Sequence, residues 1–191
     1  QKIELPTYHK TFETFQKYLT AESAPEIWLL IGNHDMWFSN KWDVSSVFPL
    51  ASIKGVHVID KPCTQQIDGH ELSFLPYTHN PIQDLKQIYS MADYKVLFGH
   101  CAVDGAVWNV RAGTLADVSI EHDGDMLKVT PDVFDEYDRV FLGHYHGEQK
   151  LSKKVEYVGS PLQLSFGEAF ERKHVIIYDL ESHKREYIEN E

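Results

Sequence analysis

Three times along this chain an apolar, β-prone run ends on a glycine followed by a polar step rich in metal-binding side chains. Ile27-Trp28-Leu29-Leu30-Ile31 leads into Gly32-Asn33-His34-Asp35, Val96-Leu97-Phe98 into Gly99-His100, and Val140-Phe141-Leu142 into Gly143-His144-Tyr145-His146. A fourth piece, Gly159-Ser160-Pro161, follows the third. This order places candidate ligands at the ends of successive strands, so a polar Gly-His step after a buried run reads as a site. A lone Gly-His is a weak signal, because a histidine in a turn usually serves a local hydrogen bond. Its recurrence in one chain is the informative feature.

The intervals between these pieces alternate between helix and strand patterns. Tyr8, Phe12, Phe15 and Leu19 recur at helical spacing, so residues 6–19 read as a helix with Pro6 near its first turn. Strands are expected at 26–31, 56–60, 71–76 and 94–98, with a turn at Asp68-Gly69 and a helix over 81–91. Further strand candidates fall at 117–121, 126–129, 138–142, 148–152, 155–158, 173–180 and 185–189. Turns are expected at Asp123-Gly124 and over 152–154. The length of 191 residues and 42% hydrophobic content allow one α/β domain over 1–191 with a sizeable core. Two packed sheets flanked by helices are the simplest layered arrangement for so many strands.

Composition removes several functional classes. A net charge of -11 argues against a non-specific nucleic-acid binder, which neutralises phosphates with clustered Lys and Arg, although it leaves a nuclease open. The short basic stretch 150–154 reads as a solvated hairpin turn. Cys63 and Cys101 cannot form a disulfide framework and lie in no Cys-x-x-Cys pattern, which fits a reducing, cytoplasmic setting. No apolar run approaches the roughly 18 residues of a membrane span, and no secretory leader opens the chain, so a soluble protein is expected.

The chemistry of the pieces points to a metal. Asn33 offers an amide oxygen, and His100, His144 and His146 offer imidazole nitrogens, a mixed set suited to Mn, Fe, Zn or Ni rather than Ca or Mg. His144 and His146 share a side in an extended strand, whereas in a loop beyond a strand end they can splay toward two neighbouring metals. A pair of metals about 3.5 to 4 Å apart clamps the attacking and leaving oxygens of a phosphoryl group. His34, beside Asn33 and followed by Asp35, suits a general acid oriented by a carboxylate. Histidines 9, 57, 70, 79, 122, 174 and 183 lack this context and read as surface or packing residues, with His79, in Leu75-Pro76-Tyr77-Thr78-His79, the one that stays a further candidate. Trp37 and Phe38 follow the dyad; packing under the loop is the simpler reading, stacking on a base the sharper one.

Gly32 to Asp35, Gly99-His100 and Gly143 to His146 resemble the Gly-Asn-His-Asp/Glu, Gly-His and Gly-His-x-His motifs of the calcineurin-like metallophosphoesterase superfamily. Tyr157 to Glu168, with its Gly159-Ser160-Pro161 and Ser165-Phe166-Gly167-Glu168, is similar to the segment after the last metal motif in the Mre11/SbcD nucleases and their phage relatives. The resemblance implies a two-sheet αββα metallophosphoesterase sandwich and a DNA repair exonuclease or nuclease. In such an enzyme Asn33, His100 and His144 bind one metal and His146 the other, both divalent and most often Mn. It further implies His34 as acid or transition-state stabiliser, Asp35 as its orienting partner, and a metal-bridging hydroxide attacking phosphorus in line. DNA as substrate, an SbcC/Rad50-like ATPase partner and a homodimer come with it, and a membrane does not.

Complete members also carry Asp-x-His after their first strand and Gly-Asp-x-x-Asp after their second. Neither motif stands in that place here, and Gln1 falls where the helix after the second motif begins. The resemblance therefore implies an N-terminally incomplete fold, inactive as this piece. The reading from another class is a non-catalytic metal-binding or scaffold subunit that acts with a partner ATPase or DNA-repair complex.

Overall fold

The computed structural model describes residues 3–38, 41–88, 90–109, 114–115 and 128–190. In chain order the elements are helix α1 (Leu5–Leu19), strands β1 (Ile27–Leu30), β2 (Met36–Phe38), β3 (Lys41–Ser45), β4 (Val56–Ile59), β5 (Cys63–Ile67) and β6 (His70–Leu75), and the short helix α2 (Pro81–Leu85). Strands β7 (Val96–His100), β8 (Val107–Asn109), β9 (Thr114–Leu115), β10 (Arg139–Gly143), β11 (Gln149–Lys150), β12 (Val155–Tyr157), β13 (His174–Tyr178) and β14 (Arg185–Glu189) complete the set.

The expected α/β character is what forms. Six strands make one mixed sheet in the order β11-β12-β10-β7-β6-β5, with β12, β10, β7 and β6 mutually parallel and an antiparallel strand at each edge. The remaining described strands pair in twos: β1 with β4 in parallel, and β2 with β3, β8 with β9 and β13 with β14 antiparallel. Among the described residues there is thus one large sheet with four two-stranded pairs, where two packed sheets were expected.

The parallel strands are the apolar runs of the sequence, because strands buried on both faces read as continuous hydrophobic stretches. Period-two alternation sends their side chains to opposite faces. Leu75, Leu97, Val140 and Leu142 pack with Val103, Phe134, Tyr137 and Tyr157 on one side. Phe74, Phe98 and Phe141 align across three strands on the other, with ring centroids 5.6 and 5.5 Å apart. Trp28 of β1 extends that ladder, lying 5.8 Å from Phe74 and stacking on His57 at 4.2 Å.

Three expectations are corrected. Helix α2 stops at Leu85 instead of running over 81–91, because the segment after it is captured by Glu71. That carboxylate accepts from Ser90 Oγ at 2.7 Å and from the Met91 and Ala92 amides at 2.6 and 3.2 Å, donors that a continuing helix would have turned back on its own carbonyls. Strand β5 was not expected, since Cys63-Thr64-Gln65-Gln66-Ile67 lacks an apolar run, and it forms as an edge strand in register with β6. The β2–β3 hairpin was likewise unforeseen. The candidates at 117–121 and 126–127, the Asp123-Gly124 turn and His122 lie outside the described residues, while Val129 makes an isolated parallel bridge with Val103. Both cysteines are free thiols, as expected. Among the described residues no helix is long and apolar enough to cross a membrane.

Candidate metal centre

In an open parallel sheet the carboxyl ends of the strands form the crevice where ligands bind. Strands β7 and β10 run parallel in a register that sets Gly143 opposite His100, so the two Gly-His steps end the sheet one residue apart. Strand β1 belongs to another pair, yet its end is tied to the same rim: the Tyr77 amide, just past β6, donates to the Ile31 carbonyl at 2.8 Å.

The four-residue loop after β1 is closed from both directions. The Gly32 amide donates to Asp35 Oδ2 at 2.8 Å, and the Asp35 amide donates to the Gly32 carbonyl at 3.2 Å. Ser45 Oγ and the Ser46 amide donate to the Asp35 carbonyl, which pins the loop to the β2–β3 hairpin. The Asp35 carboxylate therefore shapes the loop that carries His34. No hydrogen bond between Asp35 and the His34 ring forms among the described residues, and His34 is exposed.

Asn33 and His100 meet directly, with Asn33 Oδ1 at 2.9 Å from His100 Nε2. The His100 ring packs so closely over Gly32 that a Cβ there would fall 2.7 Å from its Cε1, which only glycine avoids. His144 stands edge-on to His100 with centroids 5.4 Å apart. Withdrawal from water, with His144 and His34 as like-charged neighbours, pushes the His100 pKa down to about 3. His100 is thus neutral at pH 7, the form in which imidazole donates a lone pair. Tyr77 bridges outward, edge-on to both His100 and His79 at 6.3 and 5.5 Å, which sets His79 against the wall of this site.

His144 has φ of +118°, a conformation uncommon for a residue with a Cβ and one that collects at functional sites. It breaks the β10 strand geometry, and residues 144–148 form the loop between β10 and β11 rather than an extended strand. His146 Nδ1 lies 3.0 Å from Glu168 Oε1. Burial alone would raise the Glu168 pKa, but bonds from Lys173, His146, Ser165 and the Leu164 amide outweigh it and hold the carboxyl at about 2. Lys173 is raised despite burial by its contacts with Glu168 and Glu171. The sequence does not mark Glu168, Lys173 and Ser160 as site residues; of the three only Glu168 lies in the Ser165-Phe166-Gly167-Glu168 extension, and nothing local ties it to His146.

Asn33 meets His100, His144 stands edge-on to His100, His146 bonds Glu168, and His34, next to Asn33 in the chain, is exposed. The donor chemistry fits a borderline divalent cation: an amide oxygen and imidazoles, one kept unprotonated. Among the described residues no three His, Cys, Asp or Glu side chains form a metal-holding group, and the three candidates that meet are one amide and two imidazoles, with no carboxylate among them. Trp37 and Phe38 do not pack under the loop as the simpler reading expected; they are 61% and 43% exposed. Trp37 shares with His34 and Asp35 the wall of a cavity of about 290 Å³, completed by Tyr8, Met36 and Val44.

No protein-family model matches the chain. It is 27% identical over 188 residues to exonuclease subunit 1 of Enterobacteria phage T4, an alignment covering 95% of the chain and 51% of the phage protein. It is 30% identical over 111 residues to the SbcD subunit of nuclease SbcCD from Staphylococcus saprophyticus subsp. saprophyticus, covering 58% of the chain and 26% of that protein. The chain spans about half the length of the first of these curated relatives and about a quarter of the second, and is similar in sequence to two nuclease subunits.

Proposed function

We propose that the chain is a metal-dependent phosphoesterase domain of the Mre11/SbcD nuclease type, with the metallophosphoesterase sandwich as its fold and a DNA phosphodiester as its substrate. The observation that carries the reading is the meeting of Asn33, His100 and His144 at the ends of three strands, in a chain similar to two nuclease subunits. In this reading Asn33, His100 and His144 hold one divalent cation and His146 a second, with Mn favoured by the family resemblance. When bound, the cations supply Lewis-acid polarisation of a phosphoryl oxygen.

The residues do the rest. His34, exposed and directly after Asn33, gives its proton to the leaving ester oxygen, a role typically worth about 10² to 10⁴ in rate. Asp35 holds the loop that aims His34 through its bond to the Gly32 amide. Trp37, on the wall that it shares with His34, offers an aromatic face to a nucleobase beside the scissile phosphate. The names of the relatives as subunits fit an SbcC/Rad50-like ATPase as partner, and a homodimer completes the assembly.

The lack of a carboxylate among the candidate ligands favours a second reading, a metal-binding scaffold subunit without chemistry of its own. Hydrolysis of labelled single-stranded DNA and of bis-p-nitrophenyl phosphate with Mn separates the two. The chain spans about half the length of the phage relative, and the nuclease reading expects little or no turnover from this piece alone; in a polypeptide extended to the relative's length, turnover should appear and His34→Ala should lower it at least a hundredfold without changing Mn binding. Inertness of that longer wild type, equal to that of its variant, would overturn the reading in favour of the scaffold.

A further inference from the structure

Resting on that reading, we propose that Glu168 is the positioning residue of His146: it accepts the Nδ1 hydrogen bond and so leaves the lone pair on Nε2, the nitrogen that would bind the cation. The carboxylate is surrounded by donors. Oε1 accepts from His146 Nδ1 at 3.0 Å and Ser165 Oγ at 2.9 Å, while Oε2 faces Lys173 Nζ at 2.9 Å and Ser160 Oγ and the Leu164 amide at 3.3 Å each. An ionised carboxylate only accepts, so a neutral His146 must donate from Nδ1, which fixes its tautomer.

The same cluster grips the His146 backbone. Its carbonyl accepts from the Ser160 amide at 3.0 Å and from Lys173 Nζ at 2.9 Å. Lys173 and Glu168 are both 7% exposed. Burying an ion pair adds little stability over apolar packing of the same volume, so a pair spent on both ends of one half-exposed histidine points to orientation as its use. Carboxylates that hold ligand histidines in this way typically change metal affinity by about 10 to 100-fold when removed. The run from Gly159 to Glu168, which the candidate site residues left unexplained, thereby serves as the seat of His146.

Long-range ¹H–¹⁵N correlation spectra of the histidine-labelled, metal-free protein read the tautomer directly. The wild type is expected to show His146 as Nδ1–H. Glu168→Ala should shift it toward Nε2–H and weaken Mn binding about 10 to 100-fold, with the His100 and His144 resonances unmoved as the control for folding. Glu168→Gln, whose amide oxygen still accepts, should restore the Nδ1–H form. An Nε2–H signal for His146 in the wild type would overturn the proposal even if no variant folds, as would an unchanged tautomer in a folded Glu168→Ala. Neither metal nor DNA enters the tautomer measurement, so inertness on DNA of a polypeptide extended to the relative's length, together with the Nδ1–H form here, would retire the nuclease reading and keep the positioning role.

Discussion

Gly159 carries two constraints at one Cα. Its φ is +73°, and a Cβ there would lie 2.9 Å from the Glu148 amide nitrogen and 3.0 Å from the His146 carbonyl oxygen. A Gly159→Ala substitution meets both the left-handed backbone and the crowding, so it is expected to destabilise the chain by about 1 to 3 kcal/mol. Urea unfolding read by tryptophan fluorescence measures this, and a change below about 0.5 kcal/mol would contradict the account. The residue-level sequence showed the glycine and not its reason, because contact between residues 146–148 and 159 arises only when β10 and β12 lie side by side. Asn33, His100 and His144 were readable for the opposite reason: each follows an apolar run that must be a strand, so its place at a strand end followed from its place in the chain. Glu168 was not readable as a site residue, since its partners Lys173, Ser160 and His146 come from separate turns.

Among the elements, those built from continuous apolar runs formed where the sequence puts them, because most side chains of β7 and β10 are buried and those of β1 are half-buried against two apolar clusters. Elements decided by a single distant group did not. Strand β5 exists because β6 offers it an edge, and α2 is short because Glu71 takes over residues 90–92. The Ser90 hydroxyl, followed by the Met91 amide, holds the Glu71 carboxyl below the usual carboxylate range. A depressed acid stabilises above its ordinary pKa and loses that contribution as pH falls through the lowered folded value. Exchange protection of the Met91 and Ala92 amides is therefore expected to persist at pH 5 and to fall as the pH drops toward 3. Glu71→Gln should show reduced protection already at pH 5. Protection that stays flat across this range in the wild type would contradict the anchoring role.

At the scale of the whole molecule, the parallel sheet fixes where chemistry can occur. Its carboxyl end carries His100 and the loop of His144, and the Tyr77–Ile31 bond brings the Asn33 loop to the same rim. The α/β class was legible from the alternating pattern; the division of the described strands into one six-stranded sheet and four pairs was not, because pairing between distant strands leaves no trace in local periodicity. The central claim is that these three strand ends make one cation site, and anomalous diffraction from Mn-soaked crystals of the protein tests it most directly. The account predicts a Mn peak within bonding distance of Asn33 Oδ1 and of ring nitrogens of His100 and His144, with a second peak at His146 Nε2. Peaks elsewhere with none between Asn33, His100 and His144, or no peak at saturating Mn, would contradict it.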